Sequence, residues 1–126
     1  MIKQAKSAFT VDGREAQPAE WSGGQLSRTR WRKTFTGALA GTSVVEATML
    51  MVDGGPAIYV GIERFECALD GRTGTFILLH SATMRGEERA GSWTIVSGSG
   101  TGELASIRGE GEILPNHDFV LRYELD

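Results

Sequence analysis

Glycine interrupts this sequence at short intervals, and that spacing is what most limits how the chain can fold. The 126 residues include 17 glycines, whereas an average protein has a glycine share of about 7%. No long segment keeps a helical period without an intervening glycine or a β-branched run. Short strands joined by tight turns fit both observations, so the pattern predicts an all-β fold.

Eight strand-like segments follow one another along the chain. Each is rich in β-forming residues or alternates in polarity, and turn-forming residues separate the segments. The predicted strands cover residues 3–11, 25–39, 42–52, 57–69, 73–83, 91–96, 105–113 and 119–125. The polar segment 14–24, which contains Pro18 and two adjacent glycines, is predicted to be the longest loop and a lid at one end of the fold.

Eight short strands predict an eight-stranded antiparallel β-barrel, lipocalin-like in general shape, with residues 1–126 forming a single domain. A closed barrel removes the exposed strand edges that a flat sheet would carry. Its interior is just wide enough for side chains or for one small ligand. Any function beyond scaffolding is therefore expected inside the barrel or at one of its mouths.

Composition and charge exclude several classes of partner. The net charge of −3 provides no basic surface for nucleic acid. Cys67 is the only cysteine, and the two histidines and this thiol show no metal-ligand spacing, so neither a disulfide, a metal nor another cofactor is expected. No apolar run reaches the ~18 residues of a membrane span, and the first residues lack a signal-peptide core. These features predict a cytoplasmic protein without a membrane or nucleic-acid partner.

The fourth and fifth strands place a carboxylate and an imidazole among apolar residues. Glu63 shares one face with Tyr59 and Phe65, and His80 shares one face with Phe76 and Leu78. The Asp-Gly turn at 70–71 predicts that Glu63 lies opposite position 79 or 80, beside His80. Such a pair has the elements of a general base with a perturbed pKa and equally those of a structural ion pair.

The opposite face of the same two strands is apolar as well. Val60, Ile62, Ile77 and Leu79 alternate with the residues expected to face inward. A freely solvated wall would not carry such a patch, and exposed patches of this kind usually mark an interface. The pattern predicts a homodimer or a higher homo-oligomer.

Three groups of segments together resemble a known family. They are residues 33–41; residues 61–65 with 69–76 and His80; and residues 93–94 with 98–104 and 108–111. They resemble an uncharacterised bacterial domain family, a domain of unknown function, related to the allene oxide cyclase and dirigent barrels. The resemblance implies an allene oxide cyclase-like barrel with a central cavity, in a superfamily where self-association is common, but it implies no activity.

Three functions stay open at this point. The preferred one is a small-molecule-binding β-barrel with a partly apolar central cavity, in which the residues predicted to contact a hydrophobic ligand are Tyr59, Phe65, Phe76, Leu78 and Trp93. The second is an isomerase or cyclase acting on a hydrophobic small molecule, with Glu63 or His80 as the catalytic base. The third is an oligomeric structural barrel with no ligand.

Overall fold

Eight antiparallel strands close into a barrel in chain order. The computed structural model describes residues 1–126, and it contains no helix long and apolar enough to cross a membrane. A single short 3₁₀ helix spans Gly102–Leu104. The strands are β1 (Lys3–Trp21), β2 (Gly24–Gly37), β3 (Leu39–Val52), β4 (Ala57–Leu69), β5 (Arg72–Arg85), β6 (Glu88–Ile95), β7 (Arg108–Ile113) and β8 (Phe119–Glu124). The predicted all-β fold, an eight-stranded antiparallel barrel, is confirmed.

Strand β4 shows how the sequence pattern forms the barrel wall. Its bounds are the predicted ones. Glu63 and Phe65 are buried inside the barrel, whereas Val60 and Ile62 are exposed on the outside. Because successive side chains of a strand point to opposite faces, this period of two decides which residues enter the barrel.

The lid predicted at residues 14–24 is wrong, because this segment is strand. Strand β1 runs through it and pairs with β2 almost to the end of the hairpin. Asp12, just past the predicted end of the first strand at residue 11, lies in a β-bulge where the register with β2 shifts. Its carboxylate accepts hydrogen bonds from the hydroxyls of Thr10 and Thr34. The polar composition was misleading because this end of the hairpin extends beyond the core and is exposed on both faces.

Aromatic and aliphatic side chains fill the lower half of the barrel, the half next to the β4–β5 turn. Fourteen buried residues form one cluster there. At its centre the rings of Phe65 and Phe76 stack with their centroids 4.7 Å apart, and Phe119 packs on Phe65. Leu104 of the 3₁₀ helix closes the lower end and is fully buried. The lower half is a solid core, so any space for a ligand lies above it.

The glycine-rich segment 97–107 folds across the lower end of the barrel. Its side chains bond to the backbone of β5: the Ser99 hydroxyl oxygen accepts the Ile77 N–H at 3.0 Å, and the Glu103 carboxylate accepts the Thr73 N–H at 3.1 Å. Strand β6 pairs only with the upper part of β5. The segment therefore satisfies backbone groups that a neighbouring strand would otherwise satisfy.

Gly74→Ala tests how closely this segment approaches β5. An added Cβ would lie 2.1 Å from the Thr101 carbonyl oxygen, so the backbone must shift. We expect the free energy of unfolding, measured by urea denaturation, to fall by about 1–3 kcal/mol, as in other overpacked sites. Gly13→Ala is the matched control, because nothing lies within 4 Å of its added Cβ. Equal losses in the two variants would contradict the close approach.

Candidate functional site

Four polar side chains from neighbouring strands meet above the aromatic core. Lys33 on β2, Ser43 on β3, Glu63 on β4 and His80 on β5 are all buried. Each faces inward, because each stands an even number of residues from a buried side chain of the same strand. These four residues are termed the polar cluster.

Glu63 lies at the centre of the polar cluster. Its Oε2 accepts the Ser43 hydroxyl at 2.5 Å and lies 3.5 Å from Nζ of Lys33. Its Oε1 lies 2.8 Å from Nε2 of His80. That contact has the length of a hydrogen bond, but the two groups are not aligned for one. It is therefore a close electrostatic contact. One carboxylate thus faces a hydroxyl, an ammonium and an imidazole.

The register of β4 and β5 differs from the prediction. Their turn is centred between Asp70 and Gly71, so Glu63 lies opposite Leu78 and not opposite position 79 or 80. The prediction centred the turn too far along the chain. Glu63 and His80 still meet, because they are diagonal neighbours on the inward face.

The surroundings of Glu63 act on its pKa in opposite directions. Burial raises the pKa of this carboxyl, whereas the His80 contact, the Lys33 charge and the Ser43 hydroxyl lower it. Together these three effects outweigh burial, and the pKa of Glu63 lies below its ordinary value. The carboxylate is therefore ionised at neutral pH, with the Lys33 ammonium as its counter-charge.

Aromatic rings surround the Lys33 ammonium. Its Nζ lies 5.0 Å from the ring centre of Phe9 and 5.9 Å from those of Trp31 and Trp93, within the range of cation–π attraction. The Trp93 ring also stacks on His80, with the centroids 4.1 Å apart. Trp93 thus contacts both the ammonium and the imidazole of the polar cluster.

Tyr59 occupies the space that Gly61 opens inside the barrel. A Cβ at Gly61 would lie 2.9 Å from the Tyr59 hydroxyl oxygen, so the phenol itself fills the space that the missing side chain leaves. The ring centre of Tyr59 lies 6.2 Å from those of both Trp31 and His80. Burial and the Glu63 charge raise the pKa of Tyr59 to about 12. Its hydroxyl is therefore protonated and able to donate a hydrogen bond.

A groove of about 880 Å³ opens in the upper half of the barrel, and Trp93 is part of its wall. It forms because β6 and β7 pair only at Thr94 and Glu110 and separate above this point. Small residues line the groove beside Trp93, namely Ala82, Gly91 and Gly111. The groove therefore reaches the indole ring that stacks on the polar cluster.

Three buried side-chain atoms lack an aligned hydrogen-bond partner, and all three belong to this region. They are Nε1 of Trp31, Oε1 of Glu63 and Nε2 of His80. Buried polar atoms in folded proteins are usually paired, and elsewhere in this protein the buried side chains follow that rule. Oε1 of Glu63 and Nε2 of His80 face each other, so the indole N–H of Trp31 is the hydrogen-bonding group that the protein leaves without any partner.

The structure brings some of the predicted site residues together and separates others. Those that meet around the polar cluster are Tyr59, Glu63, His80 and Trp93. Those that lie fully buried in the lower core, away from the groove, are Phe65, Phe76 and Leu78. A ligand-binding role for the latter three stays a prediction, and their close packing does not favour it.

Lys33 and Trp31 were missed by the sequence reasoning. The signal was present, because both share the face of Phe35 in the alternation of β2, whereas the arginines of that strand occupy the other face. A lysine between two aromatic residues on one face of a strand indicates a buried partner of opposite charge. Here that partner is Glu63, two strands away in the sheet.

Comparison with known proteins reveals a family without an assigned activity. The family model described as "Protein of unknown function (DUF3224)" matches residues 5–126. The chain belongs to the DUF3224 family. A crystal structure of a DUF3224 protein with unknown function from Shewanella oneidensis MR-1 is 27% identical, with a TM-score of 0.83 over 100% of this chain and 99% of that chain. No curated protein matches the sequence significantly.

DUF3224 membership confirms the predicted assignment to an uncharacterised domain family. The resemblance to allene oxide cyclase and dirigent barrels stays a prediction. A cytoplasmic location and the absence of a nucleic-acid partner likewise stay predictions. The function of this DUF3224 protein must therefore be argued from the polar cluster and the groove.

Glu63→Gln tests the ionic character of the polar cluster. The amide leaves the Lys33 ammonium buried without a counter-charge, so we expect a loss of about 3–5 kcal/mol of unfolding free energy at neutral pH. Because folding lowers the pKa of Glu63, the carboxylate stabilises the fold above its unfolded pKa and ceases to do so as the pH falls through the folded value. Urea denaturation at about pH 7 and about pH 3 should show that the difference in unfolding free energy between wild type and variant is smaller in acid.

The double variant Lys33→Met, Glu63→Gln is the control. It removes both charges of the buried pair, so we expect its loss of unfolding free energy to be smaller than the sum of the two single losses. A strictly additive loss would show that the two charges do not interact. A difference in unfolding free energy between wild type and Glu63→Gln that stays constant in acid would contradict the lowered pKa of Glu63.

Proposed function

We propose that the protein binds a small molecule in the groove beside Trp93, with the polar end of the ligand directed at the polar cluster. The observation that carries this proposal is that the groove reaches Trp93, whose ring stacks on His80 of the polar cluster, in the region that holds all three buried polar atoms without an aligned partner. A ligand that inserts along the indole ring supplies an acceptor for the N–H of Trp31. Satisfying a buried donor or acceptor removes its desolvation cost, which favours the bound state.

The size and lining of the groove support the same proposal. Its volume of about 880 Å³ falls within the roughly 300–1,000 Å³ of small-molecule sites. Such sites combine apolar walls with a few fixed polar groups. Here the solid core below and the contacts around Glu63 hold those polar groups in place before a ligand arrives.

The isomerase or cyclase alternative has weaker support. A general base works best when its pKa lies near the operating pH, whereas the surroundings of Glu63 lower its pKa. Both oxygens of Glu63 already face partners within the polar cluster. Proton abstraction by Glu63 or His80 would require this cluster to open, so binding is the function that the geometry favours.

Trp93→Ala tests the proposed binding site, with N-phenyl-1-naphthylamine as an uncharged fluorescent probe. We expect wild type to bind the dye saturably and Trp93→Ala to bind it at least about tenfold more weakly, as for other aromatic anchors. Trp21→Ala is the matched control, because Trp21 is 56% exposed at the tip of the β1–β2 hairpin. Absence of saturable binding, or equal effects of the two substitutions, would favour a structural barrel with no ligand.

We also propose that two copies of the chain associate through the outer wall of β4 and β5. Val60 is 48%, Ile62 53% and Leu79 42% exposed, and Ile62 lies directly opposite Leu79. One exposed arginine and one exposed glutamate, Arg64 and Glu66, follow this patch along β4. A twofold axis through the wall buries the apolar side chains against their own copies and lets charges of opposite sign face each other.

Ile62→Lys tests this interface, because it places a charge at the centre of the patch. We expect wild type to elute with the mass of a dimer and Ile62→Lys with that of a monomer, measured by light scattering after size exclusion. Ile2→Lys is the control, since Ile2 is also exposed but lies just before β1, across the barrel from β4 and β5. A monomeric wild-type protein, or dissociation caused equally by both variants, would rule out this interface.

A further inference from the structure

We infer that the ligand of the groove is a flat aromatic anion, an organic acid whose ring lies along Trp93 and whose negative group reaches Lys33 and Trp31. The inference rests on the proposed function and adds the chemical class of the ligand. Three features of the site support it: the hydrogen-bond donors left over in the polar cluster, the sign of the charges around it, and the shape of the groove wall.

The unused hydrogen-bonding capacity consists mainly of donors. Nε1 of Trp31 is buried and has no acceptor. Nζ of Lys33 lies 3.5 Å from the nearest carboxylate oxygen, farther than the about 2.7–2.9 Å of a charge-assisted hydrogen bond. The other two unpaired atoms, Oε1 of Glu63 and Nε2 of His80, face each other at 2.8 Å. A ligand that accepts hydrogen bonds completes this site, whereas one that only donates does not.

The charges around the site favour an anion. The Arg14 guanidinium lies 4.8 Å from the ring centre of Trp31, and Arg89 lines the groove. Glu112, the acidic residue of the groove wall, is already paired with Arg122. These positive charges are a local feature, because the net charge of the whole chain is −3. Because Lys33 and Glu63 neutralise each other, the two arginines set the sign of the charge around the groove and attract an anion.

A cationic ligand is disfavoured by the aromatic rings themselves. Trp31 and Trp93 form the kind of aromatic surface that can hold an ammonium group. The ammonium of Lys33 already lies 5.9 Å from both of their ring centres. The position of a cation over these rings is therefore already occupied, and the rings are left to contact an uncharged aromatic surface.

The groove wall next to Trp93 suits a planar ligand. Gly91, two residues away on β6, and Gly111 on β7 present no side chain to the groove, and Ala82 presents only a methyl group. These positions leave the surface beside the indole nearly flat. A flat aromatic ring can then pack against Trp93 in an offset stack, the arrangement that aromatic pairs favour.

Two dyes built on one aromatic frame test the inferred charge. The dye 8-anilino-1-naphthalenesulfonate carries a sulfonate, whereas N-phenyl-1-naphthylamine is uncharged. We expect wild type to bind the sulfonate dye at least about tenfold more tightly in fluorescence titrations. Trp31→Phe removes the indole N–H but keeps a ring, and Lys33→Met removes the ammonium. We expect each to weaken sulfonate binding about tenfold and to change the affinity for the uncharged dye less than about twofold.

The outcomes separate this inference from the proposed function. Equal affinities for the two dyes would overturn the inference that the ligand is an anion, and so would variants that weaken the binding of both dyes equally. Either result would leave binding in the groove in place. If Trp93→Ala binds both dyes as tightly as wild type does, the proposed function is overturned. If Lys33→Met does not fold, the inference is tested with Trp31→Phe and with Arg14→Gln at the exposed Arg14. Each of these substitutions is then expected to weaken the binding of the sulfonate dye and to leave the binding of the uncharged dye unchanged.

Discussion

The buried charge of Glu63 is the constraint on which the upper barrel depends. Its partners Lys33, Ser43 and His80 come from three other strands, so four consecutive strands each contribute one side chain. A slip of one residue between any two of them would turn a partner to the outer face and leave a charge unpaired. We interpret the polar cluster as a device that fixes the register of half the barrel, whatever its net contribution to stability.

The solid lower core and the open upper half have complementary roles. The stacked rings of Phe65 and Phe76 lie one or two inward positions from Glu63 and His80 on the same strands. The packed core therefore holds the polar cluster in place from below. Preorganised polar groups supported by rigid packing bind a ligand without paying to order themselves first. Trp93 links the two halves, because it packs against the core cluster and also lines the groove.

Much of the fold could be predicted from local patterns, whereas non-local pairing could not. Alternation along β4 gave its bounds and the inward facing of Glu63, but a turn centred one residue too late misplaced its partner. The bulge at Asp12 escaped notice because Asp-Gly suits a turn and a bulge alike. The groove could not be foreseen, since it depends on where β6 and β7 stop pairing. Lys33 needed its distant partner to be recognised as buried.

The bulge at Asp12 also sets the sign of the charge that β1 presents to the barrel interior. Below the bulge the odd-numbered residues of β1 face inward, and above it the even-numbered ones do, so that Arg14 lies opposite Trp31. If Asp12 paired with β2 as an ordinary strand residue and no bulge formed, the alternation would bring Glu15 inward and turn Arg14 outward. The bulge in the wall thus places a base instead of an acid at the entrance to the polar cluster.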